Sequence, residues 1–256
     1  MLGITANLKL KSDNITNTRR RKKMDIRKRV DISAYLVIGP ENTKGRSVGI
    51  IIKEAVEAGF TFVQVRSKVA SARELIQLTR EAADAIAEVG KSHYVALVVN
   101  DRLDVILAAR KEGIKVDGIH VGQSDIPVKV CREYLGEDSI IGLSARTTEL
   151  FEYIKTADAS LLDYFGVGPL HETLTKPDCG LDTNGKVLTR SFEEIAKLAK
   201  LSSIPVVVGG GVKLQDIPQL AQTGVEGFFV VSAVTKADDP KSASAELVDA
   251  WKVHKI

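Results

Sequence analysis

The residues with chemical capacity fall in short polar strings, each directly after a β-branched run. In Gln64-Val65-Arg66-Ser67-Lys68, strand alternation sends Gln64, Arg66 and Lys68 to one face. Polar groups on one side of a buried strand are costly without a partner, which points to an anion site, a solvated loop being the alternative. Two further strings, Asn100-Asp101-Arg102 and His120-Val121-Gly122-Gln123-Ser124-Asp125, set the carboxylates of Asp101 and Asp125 on successive loops. A few oxygen ligands, completed by water and phosphate, are the usual arrangement for Mg2+. The alternative is that both aspartates cap helices, since a helical stretch follows each.

Later strings extend the pattern. Gly142-Leu143-Ser144 ends one run, and Gly166-Val167-Gly168-Pro169 ends the next. A long polar loop then carries Thr173, Thr175 and Lys176, with no clear periodicity up to about Thr189. Loops of that length in compact domains are usually functional. Gly210-Gly211-Val212 and Val231-Ser232-Ala233 come last. Glycine permits close backbone approach, and a helix start offers backbone N–H groups, so these two strings suit a phosphate. Tight strand-to-helix packing is the competing use of the glycines.

Other chemistries lack their residues. There is no Ser/His/Asp order, no G-x-S-x-G and no H-E-x-x-H, and the four histidines are scattered. His93 and His254 read as surface residues and His120 as a packing or supporting residue. Lys68 and Lys176 lie beyond strand ends, which disfavours a Schiff base. Cys131 and Cys179 have no C-x-x-C spacing, so they read as free thiols of a reducing, cytoplasmic setting rather than as a zinc site or a disulfide.

The elements that must position these strings can be counted. Runs at Ala34–Ile38, Phe60–Arg66, Tyr94–Asn100, Gly118–Val121, Ile140–Ser144, Tyr164–Val167, Pro205–Val208 and Gly227–Val231 predict eight strands. Between them lie helical stripes: Val48, Ile51, Ile52 and Val56; Leu75, Leu78, Ala82 and Ile86; Ile195, Leu198 and Ala199. Continuous apolar strands such as 95–99 predict a parallel sheet covered on both faces. Eight βα units close most economically as a (β/α)8 TIM barrel over residues 34–256, a doubly wound open sheet being the alternative. In such a barrel the loops at the carboxyl ends of the strands carry the chemistry, and every string above stands there.

The 256 residues, 44% hydrophobic and 27% charged, are enough for one barrel-sized domain, and no apolar run approaches the roughly 18 residues of a membrane span. The net charge of +3 hides an asymmetry, because residues 1–33 hold ten Lys/Arg against three Asp. That segment reads as a basic, flexible leader. No apolar stretch follows its charges, so it does not read as a secretory signal, and Met24 is a candidate internal start. A nucleic-acid or membrane role for the leader, with the barrel as scaffold, is the alternative from a different functional class.

Taken together, the strings resemble the thiamine phosphate synthase family from Ala34 to the end of the chain. The resemblance rests on Tyr35-Leu36-Val37, Val63 to Lys68, Asn100-Asp101-Arg102, His120 to Asp125, Gly142-Leu143-Ser144, Gly166 to Pro169 with Thr173, Thr175 and Lys176, Gly210-Gly211-Val212, and Val231-Ser232-Ala233. It implies condensation of a hydroxymethylpyrimidine pyrophosphate with a hydroxyethylthiazole phosphate, or its carboxylated form, to thiamine phosphate. By the same resemblance, Gln64, Arg66, Lys68 and Asn100 hold the pyrophosphate, with Mg2+ on Asp101 and Asp125. Ser144 and Lys176 face the pyrophosphate and the pyrimidine. Thr173, Thr175, Gly210, Gly211, Val231 and Ser232 take the thiazole phosphate. The implied partners are small molecules, without nucleic acid or membrane, and self-association is left open.

The chain departs from the family pattern at Ile38-Gly39, where a Thr-Asp pair is usual, and at His171-Glu172, where an aromatic residue and a proline are usual. A thiazole tautomerase-like relative is the nearest competing reading. It would have no use for the complete set of Gln64, Arg66, Lys68, Asn100, Asp101 and Asp125.

Overall fold

The computed structural model describes residues 25–145, 148–173, 180–181 and 184–255. Its eight strands are β1 (Ala34–Ile38), β2 (Phe62–Val65), β3 (Ala96–Asn100), β4 (Gly118–Val121), β5 (Ile140–Ser144), β6 (Tyr164–Val167), β7 (Val206–Val208) and β8 (Gly227–Val230). Each pairs in parallel with the next, and β1 pairs with β8 through Tyr35 opposite Phe229, so the sheet is a closed barrel. Closure removes the open-sheet alternative. The strand limits agree with the periodicity to within two residues.

The helices follow in alternation: α1 (Val48–Glu57), α2 (Ala72–Glu88), α3 (Leu103–Lys111), α4 (Val128–Leu135), α5 (Leu150–Thr156), α6 (Phe192–Leu201), α7 (Ile217–Ala221), α8 (Ser232–Thr235) and α9 (Pro240–His254). The stripe Val48, Ile51, Ile52 and Val56 of α1 is buried. So are Leu75, Ala82 and Ile86 of α2 and Ile195 and Leu198 of α6. Capping boxes start two of these helices, through Ser71 with Glu74 and Ser191 with Glu194. The apolar layer between helices and strands is the larger core. At about 1.5–3 kcal/mol for each fully buried aliphatic side chain, it dominates the stability.

A second core fills the barrel itself with Tyr35, Val37, Phe62, Ala96, Val98, Ile140, Tyr164 and Val207. Gly142 of β5 belongs to the same interior. A Cβ there would stand 2.1 Å from the Tyr164 ring, so glycine at this position lets that ring cross the barrel.

The packed part of the chain begins before β1. A 3-10 turn at Ile26–Lys28 folds back under the barrel, and Ile26 and Ile32 join the inner core, 2% and 4% exposed. The basic composition of residues 1–33 predicts a flexible leader, whereas Ile26 and Ile32 within it are buried. The apolar lower ends of the strands need a cover, and Ile26 and Ile32, spaced among the charges, supply it. Arg29 then bonds the Asp138 carbonyl and the Asp163 carboxylate. Among the described residues no helix is long and apolar enough to cross a membrane.

Candidate active site

A cavity of about 740 Å3 opens at the carboxyl ends of the strands. Gln64, Arg66, Lys68, Asn100, Asp101, Asp125, Ser144, Thr173, Gly210, Gly211, Val231 and Ser232 all line it. Strand alternation, read from Gln64 onward, therefore has the right phase. Thr175, Lys176 and Cys179 lie outside the described residues. Cys131 is a buried free thiol, and burial pushes it up to about 11, so it is inert and far from the chemistry.

The acidic side of the mouth is built from the loops after β3 and β4. Asp101 takes a left-handed backbone conformation, φ 61°, with its N–H donating to the His120 carbonyl at 2.9 Å. Lys68 Nζ and Asn100 Nδ2 both donate to Asp101 Oδ2, at 2.5 Å each. Asp125 accepts from the Gly122 N–H at 2.8 Å. Neither aspartate caps a helix, since the N-caps of α3 and α4 are Arg102 and Pro127. Burial raises the Asp101 carboxyl above its ordinary range, Lys68 pulls it back, and the neighbouring Asp125 raises it further. Two facing carboxylates in a half-buried site are a donor set that fits a hard divalent cation.

Gly210 and Gly211 have φ of 81° and 75°, which favours glycine at both positions. Both also pack closely, because a Cβ on Gly210 would meet Pro169 at 2.6 Å and one on Gly211 would meet His171 at 2.8 Å. The packing role and the cup are thus served by the same residues. Ser232 opens α8, with Val231 before it.

At the two departures, Gly39 and His171 make close local contacts. A Cβ on Gly39 would lie 1.9 Å from the Arg66 carbonyl oxygen, so the backbone after β1 supports the Arg66 loop directly. His171 Nε2 lies 2.9 Å from Oδ2 of the buried Asp216, which also accepts from the Lys213 N–H at 2.8 Å. That contact fixes the imidazole at the rim, beside Gly211. Glu172, Lys213 and Lys236 line the same cavity.

Sequence reasoning missed the polar floor. Tyr35 and Tyr164, both fully buried, meet at 2.9 Å between hydroxyls. Tyr35 also reaches Gln64 Oε1 at 2.6 Å, and Gln64 Nε2 reaches Asn100 Oδ1 at 2.6 Å. His120 Nδ1 lies 2.9 Å from the Tyr164 hydroxyl, and its Nε2 lies 3.0 Å from Ser144 Oγ. Burial raises both phenols far above their ordinary value, so they stay protonated. The available signal was inward parity: Tyr35 and Tyr164 alternate in phase with Val37 and Gly166.

Comparison with known proteins places this geometry. A thiamine-phosphate synthase of Corynebacterium efficiens is 39% identical over 218 residues, spanning 85% of this chain and 94% of its own. That of Natronomonas pharaonis is 36% identical over 220 residues, spanning 86% and 95%. A solved thiamine phosphate pyrophosphorylase of Pyrococcus furiosus superposes with a TM-score of 0.71 at 27% identity, covering 88% of this chain and 98% of that one. A 3-hexulose-6-phosphate synthase of Salmonella typhimurium, at 14% identity and a TM-score of 0.60 over 87% of this chain and 99% of its own, shares the fold alone. Residues 34–234 match the family model of thiamine monophosphate synthase. With the family matched across every element that lines the cavity, the chain is a transferase of the thiamine monophosphate synthase family.

Proposed function

We propose that the chain joins 4-amino-2-methyl-5-hydroxymethylpyrimidine pyrophosphate to 4-methyl-5-(2-hydroxyethyl)thiazole phosphate, or its carboxylated form, giving thiamine phosphate and pyrophosphate. The observation that carries the reading is one cavity with two unlike groups of residues. Arg66, Lys68, Asp101 and Asp125 line it from the loops after β2, β3 and β4, and the Gly210-Gly211 turn with Ser232 lines it from those after β7 and β8. Two phosphorylated substrates need two such groups.

In the reaction the carbon–oxygen bond to pyrophosphate breaks, and the leaving group takes the electron pair. A carbon–nitrogen bond then forms from the thiazole ring nitrogen. That nitrogen is a neutral nucleophile and has no proton to lose, while the pyrimidine amino group spreads the positive charge of the methylene carbon. Positioning and stabilisation of the leaving group therefore carry the catalysis, not a general base. Arg66 and Lys68, with Lys176, supply positive charge to the pyrophosphate, and Gln64 and Asn100 orient it. Ser144 lies between pyrophosphate and pyrimidine. Thr173, Thr175, Gly210, Gly211, Val231 and Ser232 hold the thiazole phosphate.

Asp101 and Asp125 would hold Mg2+, which when bound supplies further positive charge opposite the pyrophosphate. Lys68, paired with Asp101 at 2.5 Å, is placed to be shared between that carboxylate and the leaving group.

The test is pyrophosphate release by the purified chain with both substrates and Mg2+, against single-substrate and EDTA controls. Release that requires both substrates and the metal, with thiamine phosphate as product, is expected. Absence of release while thiazole phosphate still binds in titration would overturn the synthase reading.

A further inference from the structure

A line of hydrogen bonds crosses the barrel from Ser144 on β5 to Asp101 after β3, and each link fixes the direction of the next. Asp101 Oδ2 already accepts from Lys68 and Asn100, both at 2.5 Å. The Asn100 amide therefore turns its NH2 to Asp101, since the reverse would set two acceptors against each other. Its Oδ1 is then left to accept from Gln64 Nε2 at 2.6 Å. That turns Gln64 Oε1 to Tyr35, whose hydroxyl must donate to it at 2.6 Å. With its only hydrogen committed, Tyr35 can only accept from Tyr164 at 2.9 Å. Tyr164 in turn can only accept from His120 Nδ1 at 2.9 Å.

We infer that this line holds His120 as the uncharged imidazole with its proton on Nδ1. Tyr35, Tyr164 and His120 thereby act as positioning residues for Ser144. Nε2 is then an acceptor, and the Ser144 hydroxyl donates to it at 3.0 Å, which directs the oxygen lone pairs of Ser144 into the cavity. Every donor along the line points toward Asp101, so the bonds polarise one another in one sense. The acidic loops of the cavity and the serine at the end of β5 are thus ordered by one line of hydrogen bonds. The order of the bonds does not depend on the reaction assigned above, whereas its effect on turnover rests on that reading.

Tyr35→Phe removes one oxygen from the middle of the line and keeps the ring. Tyr164 then has no acceptor on that side and is free to donate to His120 Nδ1. The proton can move to Nε2, and Ser144 loses its fixed orientation. The experiment is two-dimensional 15N NMR of the full chain labelled at its histidines, without substrates at about pH 8, with His120→Asn to assign the signals. The wild-type chain is expected to show His120 as the Nδ1–H tautomer, and Tyr35→Phe to show a substantial Nε2–H population.

Thr79→Val serves as the control for a purely structural effect. It deletes a buried hydroxyl that bonds the Leu75 carbonyl at 2.6 Å within α2, and the tautomer should not move. In steady-state assays Tyr35→Phe should lower kcat about fivefold with the KM for thiazole phosphate unchanged, as expected for one lost hydrogen bond. An Nε2–H or doubly protonated His120 in the wild-type chain would overturn the inference, as would a tautomer unmoved by Tyr35→Phe. Tautomer behaviour as expected in a chain that releases no pyrophosphate would leave the inference standing and remove the reaction instead.

Discussion

Asp163 and Asp101 are carboxylates at opposite ends of the barrel, the first fully buried and the second partly exposed. Asp163 precedes β6 at the lower end, with its side chain fully buried. Arg132 Nη2 and the Ile141 N–H donate to its Oδ2, both at 2.8 Å, and Arg29 Nη2 reaches its Oδ1 at 3.1 Å. Arg132 spends its other hydrogens on the carbonyls of Gly136, Ser139 and Leu161. The Asp163 carboxylate is thus held by three donors near the apolar cover of Ile26 and Ile32, although the buried Nε of Arg29 has no partner. Asp101 instead lines an open cavity beside a second carboxylate. Saturated charge holds the fold, and charge left facing a cavity is available to a ligand.

The sharpest way to break this contrast is Asp163→Ala, which would leave the guanidinium of Arg132 buried without its partner. Loss of one member of such a pair costs about 3–5 kcal/mol. The expected outcome is a fall in Tm on the order of 10 °C by calorimetry, with turnover per folded molecule unchanged below the transition. An unchanged Tm would show that the lower network is not structural.

At the upper end, Asp101→Asn keeps the hydrogen-bonding shape and the left-handed backbone but removes the charge. Pyrophosphate release in Mg2+ should fall on the order of a hundredfold, while thiazole phosphate still binds in titration. Turnover at the wild-type rate in both Asp101→Asn and Asp125→Asn would dissolve the metal assignment, and with it the contrast between the two ends.

A smaller effect belongs to the neutral cup. Ser232→Asp sets a like charge beside the proposed phosphate and should raise the KM for thiazole phosphate about tenfold, equivalent to about 1.4 kcal/mol. Tm should hold. An unmoved KM would relocate the cup away from the start of α8.

Much of this is legible in the amino-acid sequence. The β-branched runs located eight strands, the period-3.6 stripes located α1, α2 and α6, and alternation from Gln64 put Arg66 and Lys68 on the cavity side. The lower cover was not legible in the same way. Ile26 and Ile32 are isolated apolar residues among charges, and only the exposed underside of the inner core makes them a plug. The contact of His171 with Asp216 spans 45 residues, so no local motif announces it.

By itself, the amino-acid sequence determined the order of elements, the face on which each polar residue stands, and the strand ends that carry chemistry. These follow from local periodicity, which each segment expresses without reference to the rest. Tertiary structure alone decided which inward residues meet. Tyr35 and Tyr164 lie 129 residues apart and touch because β1 closes on β8 while Gly142 clears the path of the Tyr164 ring. Contacts across a barrel are set by closure and stagger of the whole sheet, and no single strand encodes either.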